Sequence, residues 1–314
     1  MPPDSQRPSS QRPSLSIVTP VFDTPAAYIV ALADALEGIA DGGDVEWIVV
    51  DDGSTDPSTC TALAALQDRQ GVRVVANAAS RGAAGARNFG VRETRADWLY
   101  FIDADDLPVP GALDTMRALL AANPQVRWLS GDFVDFDGEV PSSDMATSFG
   151  AQATIRHWPD AANRLVTETW VNQGSYLIAR ELFSGVGGFD TAFVIGEDWL
   201  MWMRLAVREE LYFVDMPVLW RRRGHASTMS GPLSLSDAIV RPYLTARRDP
   251  QFRAQRRFLR WRIVRLYQLL ARRNQEIGRT GQATRFALLA ACWSLRSPRD
   301  WLDVLKAAVG RRLD

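Results

Sequence analysis

Three carboxylates stand within four positions at Asp103, Asp105 and Asp106. Held together away from water, such groups repel and raise one another's pKa. Two arrangements relieve the conflict. One is a divalent cation bound by hard oxygen ligands and shared with a substrate phosphate. The other is a solvated acidic turn, with Pro108 and Pro110 as its punctuation. A second acidic group, Asp51-Asp52, leads into Gly53-Ser54. A third, Glu197-Asp198, precedes apolar residues at helical spacing (Leu200, Met201, Met203, Leu205). Carboxylates suit a helix N-terminus, so these two are either caps or reactive groups. Arg87 is either a salt-bridge strut or a nucleotide contact.

The segments around these residues predict what positions them. Trp98 to Ile102 read as a strand buried on both faces, with the acids at its carboxyl end, where ligands collect in open α/β sheets. Leu15 to Thr19, Val45 to Val50 and Val72 to Ala76 read as strands. They alternate with helices over Ala26 to Ala40 and Pro57 to Gln70 and a glycine-bearing loop, Asn77 to Gly90, that enters a third helix. This alternation predicts βαβ units and a parallel sheet. Gly82, Gly85 and Gly90 do not follow the dinucleotide-binding spacing and no P-loop is present. The three glycines serve either close packing and a turn or substrate contact.

A helix over Gly111 to Asn123 and a strand over Val126 to Val134 follow. Asp135 to Asn163 lacks periodicity and reads as a long connection, with His157 an ordinary loop histidine. Val171 to Ala179, Leu211 to Asp215 and Val218 to Arg222 read as further strands. From Ser234 onward the pattern is helical, including Gln282 to Leu295 and Pro298 to Val309. In Gln251 to Leu270, an apolar stripe of Phe252, Leu259, Ile263, Leu266 and Leu270 is flanked by arginines. Such a helix either packs by its stripe or lies on an anionic membrane surface.

Composition narrows the class. Net charge is −1, with 46% hydrophobic and 23% charged residues, so no overall field points to nucleic acid or membrane. Cys60 and Cys292 are too few and too far apart for a disulfide framework or a metal knuckle, which fits a reducing cytoplasm. Met1 to Ser14 are rich in Pro, Ser, Gln and Arg without an apolar core, and read as a disordered tail instead of a signal peptide. No run of 18 apolar residues predicts a transmembrane helix.

Taken in order, Ser16-Ile17-Val18-Thr19-Pro20, Val49-Val50-Asp51-Asp52-Gly53-Ser54, Arg81-Gly82 through Ala86-Arg87-Asn88-Phe89-Gly90, Asp103-Ala104-Asp105-Asp106, Gly187-Gly188-Phe189-Asp190, Glu197-Asp198-Trp199 and His225-x-Ser227 form a specific series. The series resembles a family 2 glycosyltransferase of the GT-A fold over roughly Leu15 to Ser230. The resemblance implies an α/β fold with a Rossmann-like, mostly parallel sheet, and inverting transfer of a hexosyl group from a nucleotide-sugar to an acceptor hydroxyl, with Mn²⁺ or Mg²⁺. It implies that Thr19, Asp51 and Asp52 line the nucleotide-base pocket, that Arg87 lies near the nucleotide and that Asp103 faces the ribose. Asp105 would ligate the metal, with Asp103 and His225 as further candidate ligands. Asp198 would be the general base with Glu197 beside it. His225, with Ser227 and Ser230, would close over the diphosphate.

A UDP-sugar is the favoured donor, with GDP- or dTDP-sugars as alternatives. The acceptor would be a glycan or lipid-linked glycan of the cell envelope, and the place the cytoplasm, with peripheral membrane contact through the C-terminal helices as one reading. The expected division is a tail over 1–14, a catalytic domain over 15–233 and an all-α extension over 234–314. Two rival readings keep the same architecture: an inactive nucleotide-sugar-binding scaffold, and a sugar nucleotidyltransferase. The latter would need a basic glycine-rich loop after the first strand, where Thr19-Pro20-Val21-Phe22 stands.

Overall fold

The alternation of short apolar runs with helical segments builds one mixed sheet of nine strands among the described residues, which in this computed structural model are 14–39, 44–79, 82–141, 153–168, 171–224 and 232–294. The tail expected over 1–14 (apart from Ser14), the helix expected at Pro298 to Val309, and His225, Ser227 and Ser230 lie outside them. The chain divides into two compact units. The first comprises Met1–Ala161, Thr169–Thr191 and Arg204–His225, and the second Ala162–Glu168, Ala192–Met203 and Ala226–Asp314.

The sheet belongs to the first unit. Its strands are β1 (Leu15–Val21), β2 (Val45–Asp51), β3 (Val72–Ala76), β4 (Trp98–Phe101), β5 (Leu107–Pro108), β6 (Trp128–Phe136), β7 (Ile155–Trp158), β8 (Tyr176–Ala179) and β9 (Leu211–Arg222), in the order β3-β2-β1-β4-β8-β6-β9-β5, with β7 also on β9. The first four run parallel, joined by α1 (Ala26–Ala35), α2 (Pro57–Leu66) and α3 (Ala83–Glu93). The chain moves outward from β1 to β2 and β3, then returns to place β4 on β1's other flank. That reversal opens the crevice in which α/β sheets bind ligands, and β1, β2 and β4 deliver their carboxyl ends to it. Beyond β4 the next neighbour, β8, is antiparallel.

Residues alternate between the two faces of the sheet. Ile17, Trp47, Val49 and Tyr100 share a buried cluster with Ile29 and Leu32 of α1, Leu63 and Leu66 of α2, and Leu113 and Met116 of α4 (Ala112–Ala122). The opposite face carries α3, which approaches so closely that a Cβ at Gly90 would lie 2.5 Å from Val18 Cγ1 and 3.1 Å from Val50 Cγ2.

Several expectations change in the second half of the sheet. Asp135 to Asn163 was expected to be a connection without regular structure. It instead contains the end of β6, strand β7 and the start of α5 (Ala161–Thr167). β7 escapes a reading by periodicity because its four residues, Ile-Arg-His-Trp, are half-buried or exposed at an edge. The two strands expected at 211–215 and 218–222 are one strand, β9. Its pairing with β6 shifts register opposite Pro217, which has no N–H to give the ladder. The strand expected from Val171 begins only at Tyr176, after a turn in which Gly174 has a φ of +81°. A short helix, α6 (Arg180–Gly185), follows β8.

The second unit holds most of α5, the first residues of α7 (Glu197–Ala206), and α8 (Arg241–Arg248), α9 (Arg256–Glu276) and α10 (Thr280–Ser294). The apolar stripe read at 251–270 is buried within it: Phe252, Leu259, Ile263 and Leu270 are wholly buried and Leu266 nearly so. The Tyr267 ring stacks on Phe286 of α10 with centroids 6.2 Å apart. α9 and α10 thus pack on one another through their apolar sides.

The close approach of α3 yields a test. Gly90→Ala would push a methyl group into Val18, and overpacking of this kind costs about 1–3 kcal/mol. Urea denaturation should show that loss, whereas Gly281→Ala, where a Cβ meets nothing within 4 Å, should show none of it.

Candidate active site

β4 ends in Phe101, and the chain then turns so that the Asp106 N–H donates to the Asp103 carbonyl (3.1 Å). One oxygen from each of Asp103, Asp105 and Asp106 lies within 4.8 Å of the others. Asp106 is the buried member, and its carboxyl is pushed up to about 8, first by burial and then by the charges of Asp105 and Asp103. The Arg222 backbone N–H donates to Asp106 (2.8 Å) and opposes the shift. The guanidinium of Arg222 donates from Nε to the Asp105 carbonyl (2.9 Å) and lies over the rings of Tyr28 and Phe136. The end of β9 thus braces the acidic turn. No motif marked this role, although the run Arg221-Arg222-Arg223 at a strand end was the available signal.

Arg87, 3% exposed, makes an ion pair with Asp103 and lies over the Phe189 ring. The structure therefore provides the strut, at the edge of the acidic cluster. Its neighbour Asn88 exchanges two hydrogen bonds with the Phe189 backbone, donating to the carbonyl (2.7 Å) and accepting from the N–H (3.0 Å). The Gly187-Gly188-Phe189 segment is thereby tied to α3, and Gly188 leaves room for Asn88 Oδ1. Phe189 also meets Phe101 edge-on.

At the end of β2 the paired aspartates divide their work. Asp51 accepts from the Gly53 and Ser54 N–H groups (3.2 and 2.8 Å) and shapes the turn. Asp52 is buried and accepts from Asn77 Nδ2 (2.5 Å) and the Gly82 N–H (2.7 Å). Gly82 has a φ of +95°, so this glycine serves the loop's conformation, while Gly90 serves packing. Thr19, buried on β1, accepts from Trp47 Nε1 (2.9 Å).

Asp23 was not anticipated. With a φ of +44°, its carboxylate accepts from the Thr55 and Asp56 N–H groups (2.6 and 2.8 Å), and these bonds hold its pKa below the usual carboxylate range. It clasps the loop after β1 to the loop after β2. An aspartate between Phe22 and Thr24-Pro25 is the kind of short acceptor that such a turn selects.

The second unit carries the remaining pair. Glu197 and Asp198 are the first two residues of α7. Glu197 is buried, and Asp198 accepts from the Trp199 N–H (2.6 Å). The helix start is held by Trp199, whose ring stacks on Tyr243 at 3.8 Å and whose Nε1 donates to the Leu165 carbonyl (2.7 Å). The first unit brings together Asp103, Asp105, Asp106 and Arg87, and its adjacent strands β1 and β2 carry Thr19, Asp51 and Asp52 to the same sheet edge.

Residues 16–154 match the family model described as glycosyl transferase family 2. The O-antigen biosynthesis protein RfbC of Myxococcus xanthus is 27% identical over 233 residues, which are 73% of this chain but 17% of RfbC. The succinoglycan biosynthesis protein ExoO of Rhizobium meliloti is 33% identical over 130 residues, 40% of this chain and 35% of ExoO. Among solved structures, S. aureus TarS 1-349 in complex with UDP superposes with a TM-score of 0.61 at 14% identity, covering 96% of this chain and 93% of that one. TarS 1-349 in complex with UDP-GlcNAc gives 0.57 at 17% identity, with 94% and 79% covered. Residues 16–154 are thus similar to glycosyl transferase family 2, and the fold is GT-A.

Proposed function

We propose that the protein transfers a sugar, with inversion, from a nucleoside-diphosphate sugar to an acceptor hydroxyl in the synthesis of a cell-envelope glycan. The observation that carries the reading is the cluster of Asp103, Asp105 and Asp106 at the end of β4, beside the sheet's switch point. The family match supports the reaction class, and the names of RfbC and ExoO support the glycan context. The TarS complexes with UDP-GlcNAc and UDP support a UDP-sugar as donor. The cytoplasm is the proposed place, and a glycan or lipid-linked glycan the proposed acceptor.

The donor set fits Mn²⁺ or Mg²⁺. It consists of hard oxygens only, and Asp106, raised first by burial and then by the charges of Asp105 and Asp103, is a group whose charged form a bound divalent ion would favour. Asp105 is the proposed principal ligand, with Asp103 and His225 as further ones. A bound cation would stabilise the negative charge that develops on the departing diphosphate. On this reading Thr19, Asp51 and Asp52 form the base pocket, and Arg87 holds Asp103 toward the ribose. Asp198, with Glu197 beside it, takes the proton from the acceptor hydroxyl. His225 is proposed to close over the diphosphate.

The acidic cluster gives a pH signature. The folded-state pKa of Asp106 lies above its unfolded value, so the stability it contributes is present at low pH and lost as pH rises from about 4 to about 8. Asp23, Asp56 and Asp135 are shifted downward, so their contributions are constant across the upper part of this window. Chelator-treated protein should melt at a lower temperature near pH 8 than near pH 5.5, and Asp106→Asn should flatten that decline. Mn²⁺ should raise the melting temperature more at the higher pH, and Asp105→Asn should remove that rise along with turnover of UDP-sugar. Full activity in excess chelator would refute the metal assignment.

The base is tested by Asp198→Asn. Asparagine satisfies a helix terminus about as well as aspartate but cannot take a proton at neutral pH. Transfer should fall on the order of a hundredfold or more, with donor affinity and melting temperature little changed. Near-normal transfer would leave Asp198 a structural residue.

A further inference from the structure

The outward side of α9 has a composition opposite to that of its packed side. Phe258, Trp261, Arg265, Leu269 and Arg272 recur at intervals of three and four, which places them in one stripe along the helix. Phe258 is 37% and Trp261 47% exposed, while Leu259, Ile263 and Leu270 on the other side are wholly buried. Arg257, Arg265 and Arg272 are exposed on or beside this stripe. The single acid of the helix is Glu276, its last residue. Residues 241–294 carry thirteen arginines against two acids, Asp249 and Glu276.

Some of these arginines are occupied in the fold. Arg247 lies over Trp293, Arg260 donates to the Trp293 carbonyl, and Arg285 pairs with Asp237. On the stripe, Arg265 donates to Gln268 of its own helix (3.4 Å), and Arg257 and Arg265 lie within about one turn of the exposed Phe258 and Trp261 rings, with Arg272 further along. Large aromatic residues on a helix face are normally buried. Interleaved with arginine and no acid, they match a boundary that is apolar on one side and anionic on the other. A helix of 21 residues could reach across a bilayer, but no helix among the described residues is long and apolar enough to cross one.

We propose that α9 lies flat on an anionic lipid surface, with Phe258, Trp261 and Leu269 in the headgroup boundary and Arg257, Arg265 and Arg272 on the lipid phosphates. The charge of the face selects this occupant. A second copy of the chain would bring the same arginines against themselves, and an acidic protein surface would not supply the apolar layer that the rings need. The inference does not depend on the transfer reaction or on the assignment of its residues.

The test is co-sedimentation of the full chain with vesicles of phosphatidylcholine alone and of phosphatidylcholine with phosphatidylglycerol. Binding is expected to the anionic vesicles only, and to weaken as salt screens the arginines. Replacing Arg257, Arg265 and Arg272 by Gln together should weaken binding on the order of a hundredfold, at about a factor of five for each basic residue. Phe258→Ser with Trp261→Ser should also release the protein, while circular dichroism and the melting temperature stay unchanged. Failure of the full chain to sediment with anionic vesicles at low salt would overturn the proposal. Equal binding by the arginine-replaced variant would do the same. So would a dimer in solution that Trp261→Ser dissociates, without lipid binding, since a second copy would then be the occupant.

Discussion

Burial of Asp106 beside the like charges of Asp103 and Asp105, after β4, is the constraint on which the first unit turns. Asp106 is buried a few ångströms from Asp103 and Asp105, and its upward pKa shift measures the cost of placing charge there. The fold offsets the cost from two directions. Arg87 reaches Asp103 from α3, and the Arg222 N–H reaches Asp106 from the end of β9. Both contacts leave the carboxylate oxygens of Asp103, Asp105 and Asp106 grouped at the strand end, the hard-oxygen set that a cation-binding reading requires.

The supports are themselves supported. Arg87 is flanked by Asn88, whose side chain binds both backbone groups of Phe189, and Phe189 packs on Phe101 of β4. Arg222 lies over the Tyr28 and Phe136 rings. The acidic turn is thus held by groups separated by more than a hundred positions in sequence, and each bond fixes an atom of the turn and not merely its neighbourhood. Such over-determination keeps an unfavourable charge arrangement from relaxing into a solvated loop. At the neighbouring strand ends, Asp23 and Asp51 bind backbone N–H groups and leave Asp52 fixed by Asn77 and Gly82.

The second unit solves a different problem. Its core is made of helices whose apolar stripes face one another, and Trp199 ties the start of α7 to Tyr243 and Leu165 within the same unit. The pair Glu197-Asp198 therefore depends on residues from the C-terminal helices for its placement. The segment following residue 233 is part of what orders this carboxylate pair, in addition to the basic face it presents on α9.

The sequence by itself determined the βαβ alternation, because apolar runs of strand length separated by helical periods admit few other folds. It also determined the order of the acidic motifs, two at the ends of β2 and β4, where side chains leave the sheet, and one at the start of α7. It could not determine β7, whose four residues at an edge carry no apolar period, or the continuity of β9 through Pro217. Those follow from pairing partners distant in the chain. The roles of Asp23 and Arg222 were likewise hidden, since their bonds join a side chain to backbone, which is the same at every residue, while Asn77 meets the Asp52 side chain only through the fold. The two sides of α9 show the limit most clearly. Both Leu259 and Trp261 are large and apolar, and only the packing of α9 in the tertiary structure decided that one is buried and the other exposed.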